Sequence, residues 1–331
     1  MGADFAIDLG TANTVVWARR RGIVLREPTV VAVDIRSGKV IAAGNAAYER
    51  LSSADSPAQL ERPLSGGAVT DFSMTASMLR ILFDRLGVGR FSRSRLLITV
   101  PAGVTPVERG ALRDAAHEAG AWKVYLIEEP MAAAIGSGLP VQDPVGSMVV
   151  DIGGGNTEVA VISLGGVVVS KAVRVGGFDL DAAVQEFVRD HFDIAIGDRT
   201  AEELKIALGR AFPAAPVDVA EVRGRDLETG LTREVRVDSE QVRIALERPA
   251  TAIAGAVIDT LSECPPELAQ DVMSQGILLV GGGALLRGLD QRIAAETQVD
   301  VGVATDPLDV VIIGAGAAVD ADWDLEAVFS A

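Results

Sequence analysis

At 331 residues, with 49% apolar, 23% charged and 4% aromatic side chains, the chain has the composition of a soluble globular protein of two or more domains, which excludes a disordered chain. Its net charge of −16 excludes a broad nucleic-acid surface and disfavours anionic membrane overall, because binding to phosphate groups is driven by clustered Lys and Arg. The single cysteine, Cys264, excludes an intrachain disulfide, and the start of the chain has neither a signal-peptide profile nor a run of ~18 apolar residues, so a cytoplasmic location is expected.

The first predicted elements are three strands over residues 5 to 26, with a polar tight turn and then a Gly-containing turn between them. Residues 29 to 65 follow as short strands with Pro-punctuated turns, which predicts a small inserted lobe. Next come a buried strand from Arg95 to Pro101, an amphipathic helix from Pro106 to Gly120, a strand from Lys123 to Ile127 and a short helix from Glu128 to Gly138. A second meander occupies residues 148 to 169. Two helices are expected at Asp179 to Phe192 and Thr200 to Phe212, and a hairpin pairs residues 217 to 222 with 233 to 237. The chain closes with a buried strand ending at Val280, the run Gly281-Gly-Gly, an apolar helix from about Ala284 to Thr297 and a strand from Val299 to Ala304.

The two meanders are copies of each other. Asp8, Gly10, Asn13, Thr14, Val16, Gly22 and Val24 fall on Asp151, Gly153, Asn156, Thr157, Val159, Gly165 and Val167 without a gap. Repeated strand-rich and α/β segments predict a duplicated domain with a cleft between the copies. A glycine hairpin taken alone is an ordinary turn. Two homologous ones, each preceded by Asp and followed by Asn-Thr, point to backbone N–H groups gathered around phosphate. Asp8 and Asp151 end their strands and are candidate Mg²⁺ ligands, since magnesium takes one or two carboxylates and keeps water and phosphate for the rest; the alternative is that each caps its own turn. The run from Gly281 to Ala284, between strand and helix, is anion-friendly, with adenosine or α-phosphate both open. No P-loop or dinucleotide fingerprint is present.

Asp8-Leu-Gly-Thr-Ala-Asn-Thr14, Arg62-Pro-Leu, Asp71-Phe, Glu128-Glu-Pro-Met-Ala-Ala-Ala-Ile-Gly-Ser-Gly-Leu-Pro140, Asp151-Ile-Gly-Gly-Gly-Asn-Thr-Glu-Val-Ala160 and Gly281 to Leu289 together resemble the MreB/Mbl family of bacterial actin-like, rod-shape-determining proteins, essentially from end to end. The resemblance implies an α/β actin-like fold of ribonuclease H-like duplicated domains, with four subdomains around a central nucleotide cleft. On that pattern, residues 1–30 and 66–140 with 315–331 form subdomain IA, 31–65 IB, 141–180 and 250–314 IIA, and 181–249 IIB. It also implies ATP with Mg²⁺ between Asp8 and Asp151. Thr11, Ala12 and Asn13 would contact phosphates from the first loop and Gly153, Gly154, Gly155, Asn156 and Thr157 from the second, Glu202 and Lys205 would flank the adenosine, and Gly281, Gly282, Gly283 and Ala284 would complete the nucleotide site. Glu129 matches the residue that orients the attacking water, and Asn156 belongs to the same set.

This chain departs from the family pattern at Asn156, where Thr is usual, at Ala207, where acidic residues are usual, and at Ala317, where Lys is usual. Asn156 implies that ATP binding survives while hydrolysis, as an assembly switch, is slow or lost. The expected function is an ATP-binding filament subunit that scaffolds cell-wall synthesis and cell shape. The implied partners are the chain itself, cell-wall synthesis and membrane scaffold proteins, and a membrane surface touched through the segment from Arg90 to Arg95. The alternatives are a non-polymerising adaptor and a chaperone-like ATPase; a small-molecule kinase would need insertions that are not present.

Overall fold

The structure, a computed structural model, describes residues 4–51, 57–66, 68–88 and 93–321. Two compact units emerge: one takes the residues up to 143, 164–167 and those from 308 on, the other 144–163 and 168–307. The first begins with strands β1 (Asp4–Leu9), β2 (Asn13–Ala18) and β3 (Gly22–Pro28), the predicted meander. Strands β4 (Val31–Asp34), β5 (Val40–Ala43) and β6 (Ala58–Glu61) form a separate three-stranded sheet with helix α1 (Asn45–Leu51), an element the sequence reading lacked. After the short pair β7 (Leu64–Ser65) and β8 (Ala68–Val69) come α2 (Phe72–Leu86), β9 (Arg95–Val100), α3 (Pro106–Ala119), β10 (Lys123–Glu128) and α4 (Glu129–Gly136).

Local chemistry sets these limits. Asp71 accepts the Met74 N–H and starts α2, while Gly87, in the left-handed region, ends it. Thr105 and Glu108 form a reciprocal capping box around Pro106 at the start of α3. The main sheet runs β10-β9-β1-β2-β3, with β1, β9 and β10 parallel and the meander antiparallel. Alternation along β1 turns Phe5, Ile7 and Leu9 into a core with Leu79, Phe83 and Leu112 of α2 and α3.

The second unit repeats this plan with β11 (Ser147–Ile152), β12 (Thr157–Ser163) and β13 (Gly166–Val173), followed by α5 (Gly177–Phe192), β14 (Ile194–Ala195) and α6 (Asp198–Leu208). The predicted hairpin is β15 (Val219–Asp226) with β16 (Thr232–Asp238); α7 (Ser239–Ala245), α8 (Glu247–Glu263), α9 (Pro266–Gln275) and β17 (Ile277–Val280) lead to α10 (Leu289–Thr297) and β18 (Val301–Val303). The sheet order β13-β12-β11-β17-β18 matches the first unit strand for strand. The last helix, α11 (Val310–Asp320), belongs to the first unit, where it packs on α4, β1 and β2.

Three expectations need correction. The helix expected from Ala284 to Thr297 is broken: Gly282–Leu285 is a 3-10 turn, the Arg287 carbonyl is drawn off to the Ala211 N–H, and Gly288 at φ 75 restarts the chain as α10. The helix expected to reach Phe212 stops at Leu208, because Gly209 is extended (ψ 134) and Pro213 follows. The final strand is the shorter Val301–Val303. Of the segment from Arg90 to Arg95, residues 90–92 lie outside the described residues. Among the described residues no helix is long and apolar enough to cross a membrane.

Candidate functional site

In the first unit, parallel strands β1, β9 and β10 bring their carboxyl ends to one edge of the sheet, the place where α/β sheets present ligand groups. Ile7 is in register with Ile98, so the next residues, Asp8 and Thr99, are neighbours; the Thr99 hydroxyl donates to the Asp8 carboxylate at 2.9 Å. Thr99 is in turn level with Ile127 on β10, and Glu129 opens α4 at the same edge, half-buried. Its neighbour Glu128 is held by Arg109 at 2.8 Å. Thr11 is buried, Ala12 half-buried and Asn13 exposed in the β1–β2 turn.

That turn is closed by the Gly10 N–H donating to the Asn13 carbonyl at 3.0 Å, and its twin in the second unit by the Gly153 N–H donating to the Asn156 carbonyl at 2.9 Å. The duplication therefore extends to individual hydrogen bonds. Behind the first turn, Thr29 donates its N–H to the Ala12 carbonyl (2.9 Å) and its hydroxyl to the Gly10 carbonyl (2.7 Å). Behind the second, the first N–H groups of α5 do the same work: Gly177 donates to the Gly153 carbonyl at 2.9 Å and Phe178 to the Gly154 carbonyl at 2.8 Å. In a trans peptide the N–H points opposite to the C=O. Holding the carbonyls of 153 and 154 from behind therefore turns the N–H groups of Gly154 and Gly155 to the front, which is the arrangement that receives an anion. Gly176 permits this contact, since a Cβ there would lie 2.7 Å from Gly154 backbone and 2.8 Å from the Asn156 nitrogen.

Asp151 is buried beside β17, in register with Val280, and Gly281 follows directly. At φ 80, with a hypothetical Cβ 2.5 Å from the Asp151 carboxylate, position 281 accepts only glycine; Gly283 packs as tightly on Ile152. Gly281 to Ala284 is thus folded against the carboxylate, although it opens a 3-10 turn and not the helix expected there. Lys205 on α6 donates to the Gly177 carbonyl (3.2 Å) and pairs with Asp181 at 2.8 Å, so the predicted adenosine-side lysine is tied to the peptide that backs the Gly153–Asn156 turn. Glu202, one turn earlier on α6, is exposed.

The electrostatics single out Asp8. Burial pushes its carboxyl up to about 6; the Thr99 hydrogen bond opposes this, the Asp309 charge adds to it, and Arg26 opposes it. Burial also raises the Asp181 carboxyl against the pull of Lys205. The carboxylate oxygens of Asp8 and of Asp151, each next to a glycine turn of its own unit, are the hard donors that magnesium takes. Sequence reading missed Thr99, which only the strand register brings to Asp8, and Asp181 and Asp309, which carry no motif. The pair Gly176-Gly177 ahead of a helix was the one available signal for the α5 contact.

The Cell shape-determining protein MreB of Escherichia coli (strain K12) is 47% identical over 323 residues, covering 96% of this chain and 93% of that protein. The Cell shape-determining protein Mbl of Bacillus subtilis (strain 168) is 43% identical over 318 residues, covering 96% of each. Crystal structures of MreB5 of Spiroplasma citri bound to ADP and to AMPPNP superpose with a TM-score of 0.90 at 34% identity, over 96% of both chains. The fold is therefore actin-like. With the MreB/Mbl protein family matching residues 2–326, the chain belongs to that family.

Proposed function

We propose that this chain is an ATP-binding actin homologue that assembles with itself into filaments and so scaffolds cell-wall synthesis and cell shape. The observation that carries the nucleotide reading is the pair of Asp-Gly turns with carbonyls restrained from behind and N–H groups turned outward. Both turns bind phosphate, and Asp8 and Asp151 would be the carboxylates for Mg²⁺, which when bound would neutralise phosphate charge. Thr11 to Asn13 and Gly153 to Thr157 bind phosphate, Gly281 to Ala284 with Glu202 and Lys205 hold the nucleoside, and Glu129 orients water. Phosphoryl transfer asks mainly for such positioning and charge neutralisation. ATP hydrolysis is slow, because an amide at Asn156 replaces a hydroxyl in the water-positioning set.

The subunits stack head to tail, giving an open filament in a cytoplasmic setting. Contact with an anionic membrane is the finer part of the reading. The strand starts opposite the Asp8 edge carry Arg20 and Arg21 in the β2–β3 turn and Lys123, which lies 5.4 Å over the half-exposed Trp122 ring, while Arg19 and Arg95 are paired with the buried Asp4. Pelleting and negative-stain microscopy with ATP-Mg²⁺, with phosphate release followed in parallel, test the main reading: filaments with little phosphate release are expected, and absence of filaments under every nucleotide overturns it. Co-sedimentation with anionic but not neutral vesicles tests the membrane part.

A further inference from the structure

We infer that Asp309, which no motif marks, is a second carboxylate of this unit that acts on a cation held at Asp8 without touching it, and that Arg26 is its counter-charge when no metal is bound. The inference rests on the reading of Asp8 as a magnesium ligand. Strand register lines up Thr99, Asp8, Val15 and Arg26 across β9, β1, β2 and β3, and side chains in register project from the same face. That face is the one covered by α11, where Gly316 lies directly on the Trp17 ring. Asp309 is the residue immediately before α11. It pairs with Arg26 at 2.6 Å and is three-quarters buried.

Asp8 and Arg26 stand two strands apart, roughly 10 Å at ordinary strand spacing, with the apolar Val15 between them. Asp309 enters this row from the start of α11: its carboxylate pairs with Arg26 at 2.6 Å, and its charge acts on the Asp8 carboxyl. Without metal the row holds two carboxylates and one guanidinium. Magnesium keeps several waters, and those waters bond carboxylates that do not touch the ion. A cation at Asp8 thus gains from Asp309 through its hydration shell, while a bare nucleotide anion is repelled by it.

The two effects have opposite signs, which separates this role from a structural one. In the full chain, nucleotide affinity is measured by titration calorimetry with AMPPNP, once with Mg²⁺ and once with EDTA. For Asp309→Asn the expected result is an approximately fivefold smaller enhancement by Mg²⁺ together with a metal-free affinity that rises about twofold. Asp309→Glu keeps the charge and restores the enhancement; Arg26→Gln shifts both quantities the other way. Equal losses with and without Mg²⁺ in Asp309→Asn, or an unchanged enhancement, overturn the inference. A wild-type chain whose affinity ignores Mg²⁺ overturns the magnesium reading itself and takes this inference with it, a distinct outcome visible before any variant is made.

Discussion

Lowering the pH from 7.5 to 5 is the most direct perturbation of the site. A free aspartate is ionised throughout that range, but Asp8 is pushed up to about 6 by its burial. A group with that value is about 3% protonated at pH 7.5 and roughly 90% protonated at pH 5. A proton and a metal compete for the same oxygens, so the part of the nucleotide affinity that depends on Mg²⁺ should fall about tenfold, roughly 1.4 kcal/mol. The assay is a pH series of AMPPNP titrations with and without Mg²⁺, run in parallel on wild type and Asp8→Asn. Protonation of the nucleotide itself is common to both proteins and cancels in their ratio. The ratio should change with unit slope below pH 6 and flatten above it; a flat ratio across the whole range refutes the reasoning.

The same carboxyl makes a stability prediction. Because its folded value is raised, the unfolded chain ionises first; its contribution is fully present below the ordinary aspartate value of 3.8 and is lost as the pH rises through about 6, at most about 3 kcal/mol. Asp8→Asn should therefore raise the metal-free melting temperature at pH 7.5 and leave it unchanged near pH 4. Gly314→Ala would place a Cβ 1.8 Å from the Ala132 carbonyl oxygen and 2.7 Å from the Gly136 nitrogen, so thermal unfolding should show a loss of about 3 kcal/mol or more. Glu27 accepts from Arg85 at 2.5 Å and from the Asn45 N–H at 2.7 Å; Glu27→Ala should cost about 1–3 kcal/mol in denaturant melts and speed proteolysis of the β4–β6 lobe first. Gly281→Ala, strained at φ 80 and crowding Asp151, should abolish nucleotide binding while the melting temperature shows the chain still folds.

Much of the fold was legible because its signals are local or repeated. The seven identities between Asp8–Val24 and Asp151–Val167 predict two matching meanders, and they match to the hydrogen bond that closes each turn. What stayed hidden is non-local. The break before α10 depends on Arg287 finding Ala211, some 76 residues earlier in the chain, and no window around Ala284 contains that partner. Thr99 reaches Asp8 only through parallel register. Asp309 reads in sequence as one more acidic residue in an acidic chain, and its meaning comes from the helix that carries it over the Asp8 face. Helix α1 was concealed by its seven-residue length, too short for a periodic pattern.

The glycine contact between α4 and α11 bears on how this protein can change state. Helix α4 begins at Glu129, and α11 begins one residue after Asp309; at Gly136 and Gly314 the two backbones meet with no side chain between them. Two rods joined in that way cannot slide or tilt separately without a clash. The carboxylate proposed for water and the carboxylate proposed for the cation therefore travel as one body. On the proposed roles, a rearrangement inside this unit on nucleotide binding would be taken up by the turns, above all Thr11 to Asn13, so that the sensing of phosphate and the geometry of its attack would fall to different parts of the chain.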